Sequence, residues 1–233
     1  MNLPKIETPK YTLTVPSTGA QLEFRPFLVK EEKILLMAQE SDNNKELFKA
    51  IRDVIDACTF EKAKVSDLTN FDLEYIFLKL RAKSVGEISD ITVKCKHCDA
   101  KNDITVNINE IEVVKNEELP EKIMLTDTVG IIPKYISASV MDSTIDTSNP
   151  SQALNYYIKS VIDSIFDDSK VYPISETSDA DFEEFINSLN REQMKKIENI
   201  IENSPKLSKD VVFNCIKCKE ENKITITGAE SFF

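Results

Sequence analysis

The chain has no tryptophan, one histidine, four glycines and five cysteines among 233 residues. Four glycines leave no glycine-rich phosphate loop and no dinucleotide fingerprint, because both need several close backbone approaches. A single histidine excludes His-rich metal centres and the HExxH type of hydrolase. No apolar run approaches the ~18 residues of a membrane span, and the opening MNLPKIETPK lacks the apolar core of a secretory signal. A cytosolic setting is therefore expected, where thiols stay reduced and available to metal. Basic residues are also in deficit, 29 against 40 acidic, for a net charge of −11. Such a chain is repelled by phosphate backbones, which disfavours nucleic acid as a ligand. At 41% hydrophobic residues it is expected to be globular, in one or two domains.

Four of the five cysteines form two CxxC pairs in matching contexts. Cys95 and Cys98 lie in DITVKCKHCDAKNDITV, and Cys215 and Cys218 lie in DVVFNCIKCKEENKITI. Each pair follows a β-branched run and is followed by a polar turn, an asparagine (Asn102, Asn222) and a second β-branched run. Cysteines and asparagines alike repeat at a spacing of 120 residues. One CxxC turn aims two sulfurs at one point, and a tetrahedral zinc ion needs four ligands, so the pattern predicts two knuckles sharing one structural Zn²⁺. Metal-free reduced thiols and a redox pair are the competing readings. The redox reading lacks the helix N-terminus that lowers a thiol pKa in such sites, because strands follow both motifs. His97, inside the first motif, could replace a cysteine as ligand, although interior CxxC positions normally point away from the metal. Cys58, in the amphipathic stretch IRDVIDAC, reads as a buried small hydrophobe.

Residues 11–27 alternate apolar and polar around PSTG and predict a β-hairpin. Helices are expected over VKEEKILLMAQ, KELFKAIRDVIDAC and TNFDLEYIFLKL, the last opened by a Thr69–Asp72 capping box. The second half reads as a weaker copy. IMLTDTVGIIPKYIS is taken as its hairpin, with Gly130 matching Gly19. ALNYYIKSVIDSIF is taken as one helix with Asn149 as N-cap and Leu154, Ile158, Val161, Ile162 and Ile165 along it. TSDADFEEFINSL and REQMKKIENIIEN are taken as further helices, and the acidic stretch from Glu176 to Glu184 as a solvated helix start. The expected fold is thus α+β: a duplicated unit of hairpin, helices and zinc knuckle, with a first half over 1–106, a connector over 107–122 and a second half over 123–233.

No nucleophile–base pair or catalytic motif is present, so an enzyme is not expected. The ends offer docking residues instead. Arg25, Phe27, Lys30 and Lys33 form a basic, apolar edge on an acidic chain, and Phe232 and Phe233 close it; core packing is the competing reading for each. A zinc-ribbon nucleic-acid-binding regulator is the alternative of another class. The lysines beside the knuckles that would serve it are offset by Asp99, Asp103, Glu220 and Glu221.

YTLTVPSTGAQLEFRPFLVKEEKILLMAQES resembles the opening of the baseplate hub and hub-assembly proteins of T-even-like contractile-tailed phages. FDLEYIFLKLRAKSVGEI, IMLTDTVGI and the closing PKLS, CxxC, strand, GxxSFF are similar to theirs, in order and over nearly the whole chain. The resemblance implies a non-enzymatic morphogenesis role in building the tail baseplate hub, with other hub proteins as partners. It implies residence in the host cytoplasm during assembly, or in the tail baseplate itself if the chain is a permanent structural subunit.

Overall fold

The computed structural model describes residues 6–41, 43–115, 117–142 and 150–228. In chain order, β1 (Tyr11–Thr14) and β2 (Gln21–Phe24) precede three helices, α1 (Val29–Glu40), α2 (Asn44–Cys58) and α3 (Asn70–Ser84). Strands β3 (Ile88–Lys94), β4 (Lys101–Asn107) and β5 (Glu112–Val114) follow, then β6 (Ile123–Met124), β7 (Gly130–Pro133), α4 (Pro150–Ser160), β8 (Ile162–Phe166) and β9 (Val171–Pro173). The chain ends with α5 (Asp179–Asn187), α6 (Arg191–Glu202), β10 (Lys206–Asn214) and β11 (Glu221–Thr227). The architecture is mixed, with six helices and four small sheets among the described residues.

Two compact units emerge, one of residues 1–114 with 206–233 and one of 115–205. This division differs from the expected sequential halves. The second cysteine hairpin belongs with the first unit, and β5, in the expected connector, pairs with β10 through Val114 and Lys206.

In the first unit, α3 is the central element. Thr69 caps it by accepting from the Asp72 N–H, and the Asp72 carboxylate returns to the Thr69 N–H as the capping box requires. Asp72 is fully buried and also accepts from the Ser17 N–H at 2.9 Å, tying the β1–β2 loop to the helix start. Leu78 and Ala82 of α3 pack with Val106, Ile108, Ile111, Leu207 and Ile226, so one helix face covers strands from both cysteine hairpins. Burying such side chains contributes roughly 1.5–3 kcal/mol each.

In the second unit the sheet order is β6-β7-β8-β9. Its core gathers Ile131, Ile158, Val161, Ile162, Phe182, Ile186 and Ile197. Here the expected helix over ALNYYIKSVIDSIF is corrected: it stops at Ser160, and Ile162–Phe166 is a strand pairing β7 on one side and β9 on the other. Asn149 lies outside the described residues.

The wider duplication is not shown. IRDVID lies within α2, whereas the matched IKSVID crosses from helix into strand. Gly19 and Gly130 also differ in purpose. Gly19 takes φ +71° in a turn with open space around it, whereas a Cβ on Gly130 would meet the Phe166 ring and the Ile123 carbonyl at 2.8 Å. The correspondence that does hold is between the hairpins β3–β4 and β10–β11. Asp90 faces Thr105 and Asp210 faces Thr225, each Thr hydroxyl donating to its Asp at 2.7 and 2.6 Å.

Candidate metal centre

Each CxxC forms the turn of its hairpin. The Cys95 N–H donates to the Ala100 carbonyl at 2.9 Å and the Asp99 N–H to the Cys95 carbonyl at 3.0 Å; Cys215, Glu220 and Lys219 repeat both bonds at the same lengths. Closing this loop puts Asp99 and Lys219 in the left-handed region, at φ 56° and 64°. The N–H groups of His97 and Lys217 point at Cys95 Sγ and Cys215 Sγ, both at 3.4 Å.

The two turns face each other with opposite polarity. Cys95 Sγ lies 3.6 Å from Cys218 Sγ, and Cys98 Sγ lies 3.7 Å from Cys215 Sγ. All four sulfurs are within 4.8 Å of one another, and all are free thiols. Four sulfurs bonded to one zinc at ~2.3 Å stand about 3.8 Å apart along each tetrahedral edge, so the observed spacing fits that ion and is far too long for disulfides. Cys95 and Cys215 are buried, while Cys98 and Cys218 are partly exposed. The ligand cluster comprises the four cysteines alone; His97 is not among them.

The two asparagines cross between the turns. Asn102 Oδ1 accepts from the Ile216 N–H, and Asn222 Oδ1 accepts from the Lys96 N–H, both at 2.8 Å. Each amide also donates to its own turn, Asn102 to Ala100 O at 2.8 Å and Asn222 to Glu220 O at 3.0 Å. Asn222 Nδ2 further approaches Cys95 Sγ at 3.4 Å. Their constant spacing marked them in the sequence, but nothing local showed that each serves the opposite turn.

These donors favour thiolate. The Cys218 N–H, with the Lys217 N–H and neighbouring thiols, brings Cys215 down to about 6 against the opposing effect of burial. Burial would raise Cys95, yet the His97 N–H and the Asn222 amide hold it below the ordinary thiol value. The Glu220 N–H would lower Cys218, but burial and the three nearby cysteines push it up to about 12. Four mutually close sulfurs thus resist full ionisation without a cation, the electrostatic setting a divalent ion relieves.

Of the expected docking residues, Arg25 is engaged within the chain. Its guanidinium donates to Glu31 Oε1 and to Pro26 O, both at 2.9 Å, while Glu31 Oε2 accepts from the Leu28 N–H at the start of α1. Lys30 and Lys33 are exposed beside Val29, Leu36 and Met37, and Phe27 is half-buried in a cleft of about 380 Å³ between α1, α2 and α3. Phe232 and Phe233 lie outside the described residues. Cys58 is fully buried, and burial raises its thiol to about 11.

A family model described as T4 bacteriophage base plate protein matches residues 8–233. The chain belongs to that family. A T4-like base plate protein has a structural or assembly role in the phage baseplate and associates with other baseplate proteins, which suggests the virion tail as its place. Such a structural family is generally non-enzymatic. Comparisons with curated proteins and with solved structures gave no match. Among the described residues of this base plate protein, no helix is long and apolar enough to cross a membrane.

Proposed function

We propose that this base plate protein is a non-enzymatic morphogenesis protein that takes part in assembling the tail baseplate hub. We further propose that Cys95, Cys98, Cys215 and Cys218 hold one structural Zn²⁺ in its first unit. The observation that carries the reading is the family match across 8–233 in a chain whose one metal-ligand cluster, among the described residues, has four thiol ligands. A four-thiolate site leaves zinc no open position for substrate, so the metal fastens rather than reacts. It would tie β3–β4 to β10–β11, whose cysteine turns lie 120 residues apart in sequence.

Contact with hub partners is assigned to the α1 edge. Val29, Leu36 and Met37 are 64%, 52% and 71% exposed there, with Lys30 and Lys33 beside them. Helices seldom present so much apolar surface to water without a partner. Arg25, through Glu31, would hold the start of this helix in place, and Phe27 would line the adjoining cleft; Phe232 and Phe233 are proposed as an accessory contact.

Quantitative mass spectrometry of purified infectious particles tests the role. A transient assembly factor in the host cytoplasm is absent from particles and abundant in infected-cell lysate. A fixed few copies per particle would make the chain a permanent hub subunit instead. Metal analysis of the purified protein is expected to return one zinc per chain.

A further inference from the structure

Net charge is distributed unevenly between the two units. Residues 115–205 contain 8 basic and 17 acidic residues, a net −9, while the remainder of the chain carries −2. Between Asp163 and Glu184 there are eight acidic residues and one basic, Lys170. A solvated helix start accounts for Asp179 and Asp181 of α5, but not for carboxylates that continue onto the β8–β9 turn.

A cleft of about 650 Å³ opens on this acidic side. Val129, Phe166, Phe185 and Leu189 line it, all only half-buried, although Val129, Phe185 and Leu189 pack against the core. Asp167, Glu176 and Asp181 also line it, and among the described residues no lysine or arginine does. Tyr172, on the edge strand β9, completes the wall; Lys170 sits over its ring at 5.0 Å. Asp167 is held in place by its own turn. Its Oδ1 accepts from the Ser169 N–H at 2.8 Å, the Ser169 hydroxyl at 2.7 Å and the Lys170 N–H at 2.9 Å, and its Oδ2 accepts from the Tyr172 hydroxyl at 2.9 Å. Its charge therefore stands ready without rearrangement.

We propose that this cleft docks a segment of a partner protein in which an apolar or aromatic anchor residue is flanked by lysine or arginine. The anchor fills the space over Phe166, Phe185 and Leu189, where burial supplies affinity. The flanking cations face Asp167, Glu176 and Asp181, which steer the encounter and select against acidic competitors. Phosphate-bearing ligands are excluded by the same rim. The assignment rests on the reading of the chain as a binding protein of the baseplate, and it places a second docking surface on the acidic unit.

The test titrates the full-length, metal-loaded protein with a short synthetic peptide carrying phenylalanine between lysines, and with a twin in which every lysine is glutamate. Binding is followed by fluorescence anisotropy and by amide shifts in NMR spectra. The lysine peptide is expected to bind saturably, more weakly as salt rises, with shifts confined to the cleft residues. Glu176→Lys and Ser188→Arg, both at exposed cleft positions, are each expected to weaken it about tenfold. Glu40→Lys, which makes the same change in net charge as Glu176→Lys but on the first unit, is expected to alter it by less than about twofold. Equal binding of the glutamate twin, absence of saturable binding, or an equal loss in Glu40→Lys overturns the proposal. So does sedimentation showing that a second copy of this chain occupies the cleft. Failure here removes the cleft alone, since the assembly role is tested independently by the composition of particles and infected-cell lysate.

Discussion

Asn102 and Asn222 hold each other's turn: the side-chain oxygen of each accepts the backbone N–H that follows the first cysteine of the opposite CxxC, both at 2.8 Å. Both asparagine side chains are buried, at 2% and 1% exposure, and each also donates to a carbonyl of its own turn. Asn102→Ala and Asn222→Ala are each expected to destabilise the first unit by about 1–3 kcal/mol, the cost of losing the hydrogen bonds that one buried amide makes to both turns. Urea melts of the metal-loaded protein check this. Unchanged midpoints in both variants would show that the metal alone holds the turns together.

Metal removal should be far more costly than either asparagine. Structural zinc typically supplies about 10–16 kcal/mol of apparent folding energy near neutral pH. A strong chelator, or Cys95→Ala or Cys215→Ala, is therefore expected to abolish the cooperative melting of the first unit. Calorimetry with and without chelator decides the matter, and coincident traces would rule out a structural ion at the four sulfurs.

Asp99 and Lys219 occupy the left-handed region that glycine enters without strain. Lys219→Gly is expected to stabilise the metal-loaded protein by up to about 1 kcal/mol, because the relieved strain exceeds the added freedom of the unfolded chain. Asp99→Gly should do less, since aspartate tolerates this conformation better than lysine. Thermal melts of the two variants beside the parent give both values.

Val114 and Lys206 are register partners on neighbouring antiparallel strands. The chain thus leaves the first unit and re-enters it at adjacent points. Replacing residues 115–205 by an Asn-Gly turn is expected to yield a folded, zinc-binding protein, because a two-residue turn closes such a pair. An unfolded product would show that the first unit depends on the second.

Cys58 supplies a pH prediction with a definite sign. Its folded thiol is raised from 9.0 to about 11, chiefly by burial, so the folded state favours the protonated form. Its contribution is complete below pH 9 and is lost as pH rises from 9 through 11. Stability should fall over that window in the parent, and the Cys58→Ala variant, though less stable overall, should lack this component of the slope. Native protein at pH 8 should also leave Cys58 unalkylated.

Where local chemistry was decisive, the sequence was readable. The Thr69–Asp72 capping box, the β1–β2 hairpin and the run of α3 follow from capping, turn residues and apolar periodicity, and the structure has each. The strand β8 was not readable as such. Ile158, Val161, Ile162 and Ile165 satisfy a helical period, yet the last two are β-branched residues that pair as well in a strand. What settles them is the pairing of Ile165 with Ile131 of β7, a partner more than thirty residues away.

The sequence by itself determined that four thiols come in two hairpin turns of common register, because CxxC spacing and flanking β-branched runs are local properties. Only the tertiary structure decided that Cys95 meets Cys218 and Cys98 meets Cys215, that the asparagines serve opposite turns, and that the second hairpin joins the first unit across an intervening one. The physical reason is range. Turn geometry acts over a few residues, whereas these pairings depend on α3 offering one apolar face to strands of both cysteine hairpins.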